Sequence, residues 1–226
     1  MLLTLAISPI LIALFYVYIR DKYEKEPTRL LVMGVLTGIV TTLPIIYVGN
    51  IVTLLLPIEA TMMAETFFVA FVSSSLVEEG LKFVALFILI WKSPELNEKF
   101  DGIVYAVFVS LGFAFVENIL YVFSRDLGGV STAINRALFS IPGHALFGVF
   151  MGYYLTKAKY ESKLKYLPLA FLGPWWVHAT YNFLLIWDGF VQTILFYLFF
   201  VGILYHAKKM MKWHLEASPF KVEKVR

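Results

Sequence analysis

Within long apolar stretches of this 226-residue chain stand Glu78, Glu79, Lys82, Glu117, His144 and His178, accompanied by Asn118 and Asn182. In a membrane helix an ionisable side chain costs about 2.5–3.5 kcal/mol or more, so such groups face the bundle interior and mark function. Their spacing narrows the chemistry. Glu78 and Lys82 are four apart, Glu79 and Lys82 three apart, so both carboxylates can reach the ammonium on one helix. A lysine beside a buried carboxylate keeps it ionised. His178 and Asn182, again four apart, present two hydrogen-bonding groups to one point. Two chemistries suit this set. A carboxylate can act as general base on water while histidine and asparagine stabilise an oxyanion, or glutamate and histidine can hold zinc, which lowers the pKa of its bound water. There is no HExxH for the usual zinc arrangement and no GxSxG for a serine nucleophile. Taken singly, the residues also have structural readings. Glu78, Glu79 and Lys82 could form an ion-pair clip between helices, and His178 with Asn182 could hold two helices together.

The elements that must position these groups follow from composition. Hydrophobic residues make up 60% of the chain, aromatic ones 17% and charged ones 15%, against roughly 25% charged in a soluble domain. The apolar blocks are about twenty residues long, enough to cross a hydrocarbon core of roughly 30 Å. They place seven spans near 2–19, 30–56, 65–91, 101–123, 136–155, 166–187 and 189–206, an all-α polytopic bundle in the lipid bilayer. The near-continuous apolar runs exclude a barrel, whose strands alternate. The first block reads as a retained helix rather than a removed signal peptide, since no basic segment precedes it and no small-residue cleavage site follows.

All lysines and arginines except Lys82, Arg125 and Arg136 fall in the loops after spans one, three and five or in the C-terminal segment. The positive-inside rule makes that side cytoplasmic, with the N-terminus outside and the C-terminus inside, as an odd number of spans requires. Residues 1–206 then form one transmembrane domain. Residues 207–226 form a basic cytoplasmic tail that anionic lipid attracts. In this frame Glu78, Glu117, His144 and His178 come from four helices at overlapping depths, between the outer surface and the midplane. Gly34/Gly38 and Gly148/Gly152 are GxxxG pairs that let helices approach closely, and Pro44, Pro142 and Pro174 interrupt spans. A net charge of +3, spread over membrane-flanking loops, is no nucleic-acid signature. The absence of cysteine excludes thiol nucleophiles, thiolate metal sites and disulfides.

The segment Glu78-Glu79-Gly80-Leu81-Lys82 reads EExxK, and Phe113 to Asn118 reads FxxxEN. With Gly143-His144-Ala145-Leu146-Phe147-Gly148 and His178-Ala179-Thr180-Tyr181-Asn182, the chain resembles the PrsW intramembrane proteases of bacteria, a group related to the CAAX-prenyl endopeptidases. The resemblance extends to Asp101-Gly102-Ile103-Val104-Tyr105 and Tyr23-Glu24-Lys25-Glu26-Pro27. It implies a multi-pass protein of the bacterial cell membrane that makes the first, extracytoplasmic-side cut in a single-pass anti-sigma factor during the envelope stress response. It further implies Glu78 as the base, Glu79 with Lys82 as a tuning pair, and His178 with Asn182 on the oxyanion side, without a cofactor. Compared with the prenyl-endopeptidase branch, Lys82 stands one residue closer to the glutamates than its arginine, and Glu117 replaces a histidine. His144 can supply that missing histidine, and Glu117 can hold the water with Glu78 or orient His144. Zinc at the same glutamates and histidines is the alternative mechanism. A non-catalytic carrier or membrane chaperone is the alternative class, though carriers commonly show internal repeats and none is evident here.

Overall fold

A computed structural model describes residues 1–56, 60–161, 165–187 and 189–221. Every described regular element is helical: α1 (Leu2–Arg20), α2 (Thr28–Thr53), α3 (Met62–Phe68), α4 (Ser75–Ile90), α5 (Lys99–Val122), α6 (Val130–Asn135), α7 (Ile141–Tyr160), α8 (Tyr166–Ile186) and α9 (Phe190–Glu216). A π-helical segment, Val69–Ser74, joins α3 to α4, and another, Arg136–Ser140, joins α6 to α7. Among the described residues the continuous helical stretches therefore number seven, near the positions read from hydropathy. Five of them are long and apolar enough to cross a membrane by length and composition alone. The other two, residues 62–90 and α8, carry Glu78, Glu79 and Lys82, and His178 and Asn182, respectively.

The last span is longer than its apolar run suggests. Helix α9 continues past residue 206 to Glu216, burying Met210, Met211, His214 and Leu215. Lys163, Lys224 and Arg226 of the charge pattern, and Asp188 of the turn before α9, lie outside the described residues. That turn does contain Gly189 at φ +155°, a backbone conformation open mainly to glycine.

Helix α5 is the centre of the bundle. Every residue from Phe100 to Ala114 is buried, between α2 on one side and α7 on the other. The two glycine pairs make this possible. A Cβ on Gly38 would fall 2.0 Å from the Val109 carbonyl oxygen, and one on Gly152 would fall 2.1 Å from the Gly102 carbonyl oxygen. Both crossings are backbone against backbone, which gives dispersion contact where no hydrophobic effect drives helix association. The outward faces are correspondingly apolar: Ile12 on α1, Leu43 on α2 and Leu198 on α9 are each at least 66% exposed. Such faces suit lipid.

The candidate active site

Each π segment sits one turn ahead of a polar residue. In the first, the Ser75 amide donates to the carbonyl of Ala70; in the second, the Ile141 amide donates to that of Arg136. This i→i+5 bonding widens the turn and shifts the rotation of the downstream helix, a device common at functional sites. In the second case it also has a local cause. Pro142 has no N–H and cannot close an i→i+4 bond, and the widened turn lies just before it. The outcome is that Ser74, at the end of the first π segment, and Glu78 of α4 face one cleft, and Ser140, at the end of the second, and His144 of α7 face it too.

Around that cleft each carboxylate is paired, Glu78 and Glu79 sharing one lysine. Lys82, fully buried, donates from Nζ to Glu78 Oε2 (3.1 Å) and to Glu79 Oε1 (2.9 Å), with the ammonium 3.9 Å from the Phe113 ring centroid. Ser74 Oγ donates to the other oxygen of Glu78 at 3.0 Å. Glu79 Oε1 also accepts from His178 Nδ1 at 2.8 Å, so it points at α8 while Glu78 points into the cleft, as their separation of about 100° around the helix requires. His178 stacks on Phe147 with centroids 4.4 Å apart, which fixes the ring plane. Its Nε2 meets Asn182 Nδ2 at 3.2 Å, and that amide is held in turn by Ser74 and Ser75.

The second carboxylate–histidine pair joins α5 to α7. His144 Nε2 lies 2.9 Å from Glu117 Oε2, which also accepts from Arg136 Nη2 at 2.7 Å. Arg136 Nε donates to Asn118 Oδ1 at 2.8 Å, and Asn118 Nδ2 donates to the Ala6 carbonyl of α1 at 2.7 Å. The His144 and His178 rings meet edge to face at 5.5 Å. The cleft between the two pairs encloses about 250 Å³.

The catalytic candidates read from the sequence thus converge. Glu78, Glu117, His144, His178 and Asn182 line the cleft, and Glu79 and Lys82 lie directly behind it. Asn118, by contrast, is spent on Ala6 and Arg136. Arg136 enters the sequence reading only as an exception to the charge pattern at the start of a span, and Ser74 does not enter it as a site residue. The sole signal for Arg136 is its place two turns before His144, on the same face.

The donor set also suits a metal. Glu78, Glu117 and His144 can bring one ligand atom each within 4.8 Å of one another, as can Glu78, Glu79 and His178. The first trio opens on the cleft, and His144 Nδ1 is buried with no hydrogen-bond partner among the described residues. Two carboxylates and an imidazole are ligands zinc takes in catalytic sites. By formal charge, three carboxylates stand against the two basic side chains of Lys82 and Arg136, an excess of one negative charge around the cleft. An imidazolium or a divalent cation would offset it.

A multi-helical membrane bundle with a buried, polar, carboxylate–histidine cleft defines a protein equipped for hydrolysis inside the bilayer. The PrsW family profile, described as "PrsW family intramembrane metalloprotease", matches residues 26–206. The chain is 39% identical to Protease PrsW of Clostridioides difficile (strain 630) over 189 residues, 81% of this chain and 79% of that protein. It is 34% identical to Protease PrsW of Bacillus subtilis (strain 168) over 209 residues, 89% and 92% of the two chains. With Protease PrsW of Geobacillus kaustophilus (strain HTA426) the identity is 38% over 187 residues, 82% of this chain and 80% of that one. No solved structure matches the chain. The chain belongs to the PrsW family of intramembrane proteases, and it is a multi-pass protein of the bacterial membrane.

Proposed function

We propose that this chain cuts a single-pass anti-sigma factor on the extracytoplasmic side of the membrane, with water activated at Glu78. The observation that carries this reading is the position of Glu78. It is the carboxylate of α4 that faces the cleft, set between the Glu117–His144 and Glu79–His178 pairs. As general base, Glu78 takes a proton as the water oxygen bonds to the peptide carbonyl carbon, and it returns that proton to the departing amine as the C–N bond breaks. The His178–Asn182 side of the cleft meets the negative charge on the carbonyl oxygen, the Asn182 amide turning an N–H from its serine and histidine partners to the substrate. Glu79 and Lys82 hold His178 and Glu78 in place. Buried and mutually bonded, they need no reorganisation during the reaction.

A second reading is favoured by the convergence of Glu78, Glu117 and His144 and by the metalloprotease description of the family. In it these three residues hold zinc, which when bound would lower the pKa of a water and polarise the carbonyl. Arg136 then orients Glu117, while His178 and Asn182 keep the oxyanion side.

Cleavage of purified candidate anti-sigma factors in detergent or nanodiscs tests both. Loss of cleavage in Glu78→Gln with folding intact is expected from either reading, and unchanged cleavage would sink both. Stoichiometric zinc in active wild-type protein, lost in His144→Ala, selects the second. Activity that survives chelation without bound metal selects the first.

A further inference from the structure

Beside the candidate cleft lies another cavity, of about 280 Å³, walled by residues 135–140, the C-terminal part of α8 and the first turns of α9. Arg136, Ser140, Tyr181 and Leu185 line both spaces, so the two share a wall. Its far side is aromatic, with Phe139, Phe196 and Tyr197 packed edge to face at 5.6–5.7 Å. In the orientation set by the positive-inside rule, this cavity opens at the extracytoplasmic ends of α8 and α9.

Polar groups on the shared wall are not fully used. The Tyr181 hydroxyl is buried beside Ser140, yet makes no well-formed hydrogen bond among the described residues; the residue is only 4% exposed. The Arg136 guanidinium has five N–H donors, of which the bonds to Glu117 and Asn118 occupy two.

We propose that this cavity binds the stretch of substrate polypeptide next to the scissile bond in an extended, non-helical form. The proposal rests on the peptidase reading. A carbonyl inside an intact helix is already bonded four residues on, so a bond to be cut must first leave the helix. Its freed backbone groups then need partners, because the bilayer offers none. Tyr181 can donate and accept, Arg136 can donate, and the rings of Phe139, Phe196 and Tyr197 receive side chains. A lipid headgroup is the competing occupant. Its phosphate would have to share Arg136 with the Glu117 carboxylate already paired to it, which disfavours it.

The test uses full-length Glu78→Gln protein in nanodiscs and a leucine–alanine transmembrane peptide bearing an unstructured extracytoplasmic tail of aromatic, apolar and acidic residues. A photoreactive phenylalanine analogue replaces Thr193 in the cavity or, as control, Leu43 on the lipid face of α2. The expected result is a several-fold higher peptide yield from position 193, with adducts at the junction of helix and tail. Tyr181→Phe, which keeps the ring packing, should weaken binding of the same peptide by about 2–10-fold, the worth of one hydrogen bond. Adducts to lipid alone, equal yields at both positions, or an affinity untouched by Tyr181→Phe overturn the proposal. Neither readout requires cleavage. A failure here is therefore distinct from a failure of the peptidase reading, which would show as cleavage by Glu78→Gln.

Discussion

Helix α5 carries a buried polar cluster at each end, and the two are built on opposite electrostatic plans. At the extracytoplasmic end every carboxylate has a cation or imidazole against it: Lys82 for Glu78 and Glu79, Arg136 and His144 for Glu117. At the cytoplasmic end Asp21, Glu26, Glu98 and Asp101 are all buried and the carboxylates face one another. Glu26 accepts from the Tyr105 hydroxyl and is hydrogen-bonded to Asp101. Asp101 in turn accepts from the amides of Asn97 and Glu98 at 2.8 and 2.6 Å, which caps α5. The nearby Lys25 ammonium is turned to the carbonyls of Tyr18 and Asp21. Burial, then Asp101, pushes Glu26 up to about 9, and burial raises Asp21 to about 6. The outer cluster pairs each carboxylate with a basic group, whereas the inner one sets carboxylates together, and Glu26, raised to about 9, keeps its proton at neutral pH where it ties the α1–α2 loop to α5. Burial alone does not make a reactive site. Whether a counter-charge accompanies the carboxylate decides which kind of cluster results.

The sharpest way to break this contrast is to neutralise one carboxylate in each cluster. Glu78→Gln should lower cleavage by about 10²–10⁴-fold, the usual worth of a general base. Glu26→Gln should leave cleavage near the wild-type rate, because a neutral amide replaces a group that is already neutral. Equal losses in both would mean that the inner cluster takes part in the reaction. Removing a counter-charge comes next. Lys82→Met leaves Glu78 and Glu79 buried without their shared ammonium, and breaking such a network costs about 3–5 kcal/mol. Thermal unfolding in detergent should show a large drop, and a shift within error would show the network to be dispensable. At the inner cluster the comparable change is milder. Tyr105→Phe removes one hydrogen bond to Glu26 in a packed site, worth about 1–3 kcal/mol, and the same unfolding measurement checks it.

Much of this architecture is legible in the sequence because a bilayer imposes strict rules. Each span needs about twenty apolar residues, so the hydropathy blocks locate α1, α2, α5 and α9, and the polar exceptions locate the site. An ionisable residue in a span has few places to go but inward, which is why Glu78, Glu117, His144 and His178 can be placed together without coordinates. The pairing is only partly legible: Glu117 against His144 is one of two roles the sequence leaves open, and Glu79 against His178 is not indicated. That Glu79 takes His178 and Glu117 takes His144 depends on helix rotations set by the two π segments, and an i→i+5 turn leaves no mark in an apolar period. Arg136 escapes a sequence reading for a related reason. It lies at the edge of a span, where an arginine usually faces water, and only the fold of residues 130–140 turns it back onto Glu117. The inner cluster is hidden because Glu26 reads as a loop residue and Asp101 as the first residue of a span, where a carboxylate ordinarily meets water.

The smallest effect concerns the proton that the inner cluster retains. The folded-state value of Glu26 is raised from 4.5 to about 9, so the folded protein binds a proton that the unfolded chain releases near pH 4.5. By linkage, stability falls with rising pH wherever the folded state holds more protons than the unfolded chain. The stabilisation from Glu26 is complete below about pH 4.5 and declines as the pH rises through 9. Between pH 6 and 9, wild-type stability should therefore fall with pH, and Glu26→Gln should flatten that fall because its amide has no proton to lose. Unfolding midpoints of both proteins across this range decide it. Parallel slopes would mean that the Glu26–Asp101 pair is ionised in the folded protein and that the two ends of α5 share one electrostatic plan after all.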